Sequence, residues 1–494
     1  MHGFLDRGAF VPRGRFSETG RFGRMLPYLR SLREFDPGPL ELGKPGGAMD
    51  GGDVFDPSQD NDRIRAGYTF LGQFIDHDLT FDPTSLLEQQ IDPGATRNFR
   101  TPVLELDSLY GLGPAQQPYL YDRDKPFQFL LGTDDEDLPR NAQGRALIGD
   151  PRNDENVIIS QLHLLMLKFH NKVYATETGD GPDSIARFEE AQRIVRWHYQ
   201  WIVLNEFLAR TVGAETMGKT LTDMPFRFPG EPFMPVEFSV AAYRFGHSQV
   251  RPAYVLSASG EQPPRVASIF PLRPGLDDDL AVPFVGDLRG GKPVAANLRV
   301  EWAAFFGPDA LASKQIDRRI SSRLLMLPFS VVSPEEGEDP AGVAAVTKVR
   351  SLASRNLQRG LDARLPSGQT VAAHLGIPQL TEAQLWAGVD GGKGRAPLWY
   401  YILCEAEMLT QGRMLAGVGA AIVSRVFAAI MMADKASYLV QDPSWVPHLG
   451  KEEGRFTMSD LVNYTLGKTS DKELGQEDLS TLPINGAPVD VAAE

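Results

Sequence analysis

Between residues 157 and 175, Ile158, Leu162, Leu165, Phe169 and Val173 recur at steps of three and four. That spacing lays one apolar stripe along a helix about five turns long. The same period returns over 184–211, with Ile194, Trp197, Trp201 and Phe207, and over 236–249, 343–358, 398–411 and 418–439. Helical patterning also begins near Tyr68 and takes in Phe70, Phe74 and Ile75. Strand patterns are sparse, and no internal repeat or heptad run appears. The expectation is a mainly α protein: a single large helical domain with few short strands and long loops. Residues 1–65, rich in Gly, Pro, Arg and Asp, read as an irregular arm laid over the unit formed by 66–494. Irregular stretches are expected at 82–150, 229–235, 275–293, 335–342 and 388–397, and the last 40 residues are polar and weakly patterned.

Composition narrows the chemistry. The chain has 494 residues, of which 42% are hydrophobic and 23% charged, enough to bury a large core. A net charge of −14 argues against nucleic acid and against a polybasic membrane surface. The single cysteine, Cys404, excludes an intramolecular disulfide and a thiolate metal cluster within one chain. It lies in an apolar helical run and reads as a small buried hydrophobe. The N-terminus lacks the apolar run of a secretory signal, and no stretch reaches the ~20 apolar residues of a membrane span. The expected compartment is the cytoplasm.

Three short segments carry polar groups that their apolar surroundings do not explain. Gly72-Gln73-Phe74-Ile75-Asp76-His77-Asp78 places Gln73 and His77 on one helix face, with carboxylates on both sides of the histidine. Alone, this is either a satisfied core histidine or a general base with a polar neighbour. Gly149-Asp150-Pro151-Arg152-Asn153-Asp154-Glu155-Asn156 precedes the long helix. The acids suit a helix N-terminus, but Arg152 opposes the dipole there, so something else should hold it. Arg244-Phe245-Gly246-His247-Ser248 sets a glycine beside a histidine, which lets a flat group approach the backbone.

In this order the segments resemble the animal-type haem peroxidases, the peroxidase–cyclooxygenase superfamily, in the manner of its shorter bacterial members. Gln73 to Asp78 matches the Gln-x-x-Asp-His-Asp motif. Arg152 and Glu155, followed by Leu162-His163 and His170-Asn171, match the second motif. Arg244, Gly246 and His247 match Arg-x-Gly-His, and Asn356, Gln358 and Arg359 match Asn-x-Gln-Arg. The resemblance implies a haem b held from one side by His247, with Asn356 accepting from its other nitrogen and Arg244 and Arg359 gripping the propionates. On the other side it implies His77 as acid–base, Arg152 as charge stabiliser and Gln73 as their neighbour. Asp76 and Glu155 match the carboxylates that ester-link haem in mammalian members. Asn156 stands where one of those enzymes carries a methionine that adds a third bond, so bromide, iodide, thiocyanate or aromatic donors are expected rather than chloride.

The resemblance also implies calcium, bound by Asp78 with Thr101, Val103, Glu105 and Asp107, although Glu105 and Asp107 replace the usual Asp and Ser. The expected partners are hydrogen peroxide and small reducing substrates, in removal of peroxide or in defence. Oligomeric state is not legible. A fatty-acid dioxygenase of the same superfamily is the nearest alternative. Its radical tyrosine would stand three residues before His247, where this chain has Arg244, and Tyr243 should point elsewhere. A non-catalytic haem or calcium protein is the alternative from another class. His163 and His170, seven apart, read as structural, as do the acidic runs 134–137 and 277–279 as solvated loops.

Overall fold

The computed structural model describes residues 20–53, 57–81, 97–98, 100–258, 260–261, 263–272, 283–328, 350–467 and 474. Helices dominate: α1 (Ala66–Leu79), α2 (Val157–Glu177), α3 (Ile185–Ile202), α4 (Ala214–Asp223), α5 (Leu352–Asp362), α6 (Gly368–Leu375), α7 (Leu398–Thr410), α8 (Gly417–Ala433) and α9 (Met458–Leu466). The periodicities at 157–175, 398–411 and 418–439, and the one beginning near Tyr68, therefore mark real helices. The expectations at 277–279 and 335–342, and the first residues of 343–358, lie outside the described residues. Short strands frame the bundle. β1 (Gly20–Gly23) lies between β3 (Arg97–Asn98) and β4 (Met234–Pro235), β2 (Asp60–Arg65) pairs antiparallel with β8 (Ala312–Lys314), and β5 (Ala253–Val255), β6 (Val266–Ser268) and β7 (Phe284–Asp287) form a third sheet. Among the described residues no helix is long and apolar enough to cross a membrane.

Helix α2 is the central rod. Val157, Ile158, Ile159, Leu162, Leu165, Phe169 and Val173 are all buried, and it packs on α1, α3 and α9. Asn156 caps its start by accepting from the Ile159 amide at 2.9 Å. Helix α3 does not stop at Ile202. It widens into π-helical turns over Val203–Phe207 and Ala209–Gly213, and the winding breaks at Gly213, whose φ of 90° favours glycine.

The expected helix over 236–249 is two tighter and wider pieces instead, a π-helical turn at Glu237–Ala241 and a 3-10 helix at Ala242–Gln249. This segment packs against α1, α7 and α8, and so brings His247 to the same part of the core as His77. Glu237 is fully buried and accepts from the Met25 and Leu26 amides, both at 3.1 Å, pinning the chain after β1 onto the His247 segment. Helices α4, α6 and α9 are additions to the sequence reading. Cys404 is fully buried on α7, as expected.

Candidate active site

Helix α1 buries Phe70, Phe74 and Ile75 on one side and brings His77 to the interior at 5% exposure. The His77 Nδ1 lies 2.7 Å from Oδ1 of Asn153, and the same amide presents Nδ2 to Nδ1 of His163 at 2.9 Å. Asn153 is fully buried in the turn Pro151–Asp154, and His163 is fully buried on α2. The His77 Nε2 has no partner among the described residues and is not sealed by packing. Burial, then the neighbouring Arg152, hold the His77 pKa down at about 4, so the ring is neutral near pH 7.

Arg152 resolves the dipole conflict seen in the sequence. Its guanidinium turns away from the start of α2 and donates to the carbonyl oxygens of His77, at 3.1 Å, and Thr80, at the end of α1. Those are acceptors a helix C-terminus leaves open, and the dipole there favours a cation. Nε and Nη2 also bond Asp150, at 3.1 and 2.8 Å, while Nη1 has no hydrogen bond among the described residues. Asp150 is buried and shared with Arg100. Burial alone would raise its pKa, but the two guanidinium groups more than offset that and hold it well below the carboxylate range.

Gln73, Asp76 and Glu155 each keep part of their surface uncovered inside the protein, which leaves a hollow beside them. Glu155 keeps much of its surface uncovered yet lies deep in the protein, so burial raises its pKa to about 7. Gln73 donates to Glu155 and accepts from Asn156 at 3.3 Å. The Asp76 charge reaches Glu155 from α1, and it also acts on Tyr243 and Arg244 of the 3-10 segment. The residues of the first and third motifs thus share one electrostatic environment.

His247 lies with Nδ1 2.7 Å from the Asn356 amide, which α5 supplies. Burial, then Arg244 and Arg359, lower the His247 pKa to about 3. Arg244 donates to the Ser239 carbonyl at 3.0 Å and to Asn356 Oδ1 at 3.4 Å, and among the described residues it has no carboxylate partner. A side chain added at Gly246 would enter open space. Tyr243 departs from expectation. Its hydroxyl is buried without a hydrogen bond, and a Cβ at Gly72 would lie 3.9 Å from it, so the ring reaches α1. The 3-10 winding gives residues a different angular spacing from the α-helix assumed in the sequence reading.

The residues expected to hold calcium gather near the end of α1, where Asp107 and Glu105 lie close enough to act on Asp78. Among the described residues no three His, Cys, Asp or Glu groups are arranged to hold a metal ion. Thr101 and Val103 turn their carbonyls to the Val103 and Glu105 amides, at 2.8 and 3.1 Å, and the Glu105 carbonyl accepts from Arg196 at 2.6 Å. Asp107 faces Arg100, at 3.0 Å. Asp78 is fully buried; burial, then Asp107 and Glu105, push its pKa up, while the Leu106 amide pulls it down.

Sequence reasoning missed Asn153, Asp150 and Arg100. His163, read as structural, stands one amide away from His77, whereas His170 is structural as expected, bonded to the Tyr110 hydroxyl and the Phe127 carbonyl, both at 3.0 Å. Of the run 134–137, Asp134 and Asp135 are exposed, but Asp137 is buried against Arg140 at 2.9 Å.

The family described as animal haem peroxidase matches residues 116–273, which hold Arg152, Glu155 and His247. Thyroid peroxidase of Sus scrofa is 26% identical over 258 residues, covering 50% of this chain and 24% of that protein. A peroxidase-like protein of Margaritifera margaritifera is 30% identical over 229 residues, 44% of this chain and 26% of that protein. The chain thus spans about a quarter of the length of these relatives. In three dimensions it is similar to peroxidase A from Dictyostelium discoideum, with a TM-score of 0.62 at 16% identity over 94% of this chain and 96% of that one. A fatty acid alpha-dioxygenase of Arabidopsis thaliana gives 0.54 at 14% identity over 88% and 77%. Over residues 116–273 the chain is thus similar to the animal haem peroxidases, and its helical fold is shared with both solved structures.

Proposed function

We propose that this protein is a haem peroxidase that reduces hydrogen peroxide and oxidises small donors such as bromide, iodide, thiocyanate or aromatic compounds. The observation that carries the reading is the buried His77 imidazole beside Arg152, its Nδ1 on Asn153 and its Nε2 without a partner among the described residues. The residues fit a haem. His247 can ligate through Nε2, and a half-turn of the Asn356 amide would let Oδ1 accept from Nδ1 while giving up its 3.4 Å contact with Arg244. Arg244, without a carboxylate of its own among the described residues, suits a propionate, and Gly246 leaves room for a flat ring. Asp76 and Glu155 line the hollow where ester links would form.

Bound haem would supply the iron at which the O–O bond is cleaved and would carry the oxidising equivalents to the donor. The protein's part is proton traffic and charge. His77 Nε2 takes a proton from one peroxide oxygen and returns it to the departing one, which leaves as water. The Arg152 cation, held in place by Asp150, faces the charge that develops, through its uncommitted Nη1. The purified protein should show a Soret band, and His77→Ala should lose peroxide turnover by about 10²-fold or more. Undiminished turnover in that variant would overturn the reading.

The buried Tyr243 hydroxyl favours a second reading, a fatty-acid dioxygenase. Sustained oxygen uptake with linoleate and no peroxide, lost in Tyr243→Phe, would establish it over the first.

A further inference from the structure

We infer that Asn153 and His163 form a buried relay that locks His77 in the one tautomer able to act as a base. The inference rests on the reading of His77 as the proton acceptor. An imidazole accepts a proton only at a bare nitrogen, so Nε2 must be free and Nδ1 must carry the hydrogen. In the structure Nδ1 faces Asn153 Oδ1, at 2.7 Å, and an amide oxygen only accepts. That contact alone does not fix the orientation, because a half-turn of the amide would present its nitrogen instead.

His163 couples to the same amide. Its Nδ1 lies 2.9 Å from Asn153 Nδ2, so one amide spans two imidazoles, and the two rings must adopt complementary tautomers. His163 cannot relax toward water. It is fully buried on α2, its Nε2 has no partner, and Phe74 packs against it edge-on at 6.1 Å between centroids. Burial keeps this ring neutral too. With Oδ1 on His77, Nδ2–H donates to a bare Nδ1 of His163, whose hydrogen then sits on the buried Nε2; a turned amide would reverse both rings, and only the first state leaves His77 Nε2 bare to act as a base. The chain supplies this device from the residue beside Arg152 and from the rod helix, so the base is set by the same turn that places the cation. Asn153 and His163 are positioning residues; neither touches the hollow.

Asn153→Leu, His77→Ala and their combination test this. Asn153→Leu should lower kcat/KM for hydrogen peroxide about 10–100-fold, with the Soret band and the donor KM unchanged. Added to His77→Ala it should cost nothing further, because residues acting through one group are not additive. An unchanged rate in Asn153→Leu, or an equal loss in both backgrounds, would overturn the relay. Failure of the parent reading looks different: the unmodified protein would not turn over peroxide, or His77→Ala would be harmless.

The tautomer can be read without turnover, by long-range proton–nitrogen correlation in protein labelled with ¹⁵N-histidine, in the diamagnetic ferrous–carbon monoxide form if haem is bound. His77 should carry its proton on Nδ1 in the unmodified protein. A proton on Nε2 there would overturn the proposal. Should Asn153→Leu fail to fold, His163→Phe keeps the ring volume and frees the amide to turn, so His77 should sample both tautomers. A single retained Nδ1–H form in that variant would overturn the role of His163.

Discussion

Arg152 stands at the entrance of α2 but donates to the His77 carbonyl oxygen at the end of α1, at 3.1 Å. One guanidinium thereby ties the turn before α2 to the last turn of α1, with the buried Asp150 as its counter-charge. The same cation depresses the His77 pKa.

Two losses should follow from its removal and should separate by substitution. Arg152→Lys keeps the charge but not the planar fork, so peroxide turnover should fall about 10²–10³-fold while stability changes little. Arg152→Met also leaves open carbonyls and strips Asp150 of one partner, and should cost roughly 1–3 kcal/mol of stability as well. Thermal unfolding alongside steady-state kinetics reads both. Full activity in Arg152→Lys would leave the residue a clamp only.

How much of this was legible depended on distance along the chain. Gln73, Asp76 and His77 share one helix face, so spacing exposed them. The misfit of Arg152 at an N-terminus was visible, but its answer lay in carbonyls more than 70 residues earlier. Asn153 carries no signature, because an amide linking residues 77 and 163 is a purely three-dimensional event. The loop at 101–107 showed acids at alternate positions, yet spacing could not reveal that Arg100 folds back onto Asp107. Helices α4 and α6 went unread, and the π and 3-10 windings around residues 237–249 lie beyond a 3.6-residue template.

Acid should unfold this protein earlier than its carboxylates alone would dictate. Burial holds His170 at about 4 and His163 and His198 at about 3, below the ordinary 6.5. Below pH 6.5 the unfolded chain binds protons at these rings and the folded one does not, so stability falls with pH, by about 1.4 kcal/mol per unit for each ring, until the folded pKa is reached. Glu405, raised to about 8, and Asp434, raised to about 6, act in the opposite sense, losing their contribution as pH rises through those values. Urea unfolding from pH 8 to 4.5 should therefore show a maximum near neutrality and a steep acid limb. A flat profile between 6.5 and 4.5 would contradict the buried neutral state of these rings.

Metal removal should leave the native protein largely untouched. Arg100 places its guanidinium between Asp107 and Asp150, and all three side chains are buried. Dialysis against a calcium chelator should not lower the unfolding temperature. Arg100→Met would strand two buried carboxylates beside Asp78 and should destabilise by roughly 3–5 kcal/mol. Added calcium should recover part of that loss in the variant. A chelator-induced drop in the unmodified protein would overturn this prediction and support the divalent-cation reading.

Haem attachment offers the sharpest test of the hollow. Asp76 and Glu155 approach it from different elements, α1 and the turn before α2, and the Asp76 charge helps to raise the Glu155 pKa. Near pH 7 Glu155 is therefore balanced between acid and carboxylate, and Gln73 donates to it. An ester removes both the charge and the repulsion between the two groups, so bond formation should relieve the site. After exposure to peroxide, the unmodified protein should keep its pigment through acid–butanone extraction. Asp76→Asn and Glu155→Gln should each retain it through the surviving link, with intact mass showing one bond fewer, while the double variant should release it entirely. Complete extraction from the unmodified protein would mean that two carboxylates in the hollow do not suffice for attachment. Their role would then be confined to shaping the field around His77 and Arg244.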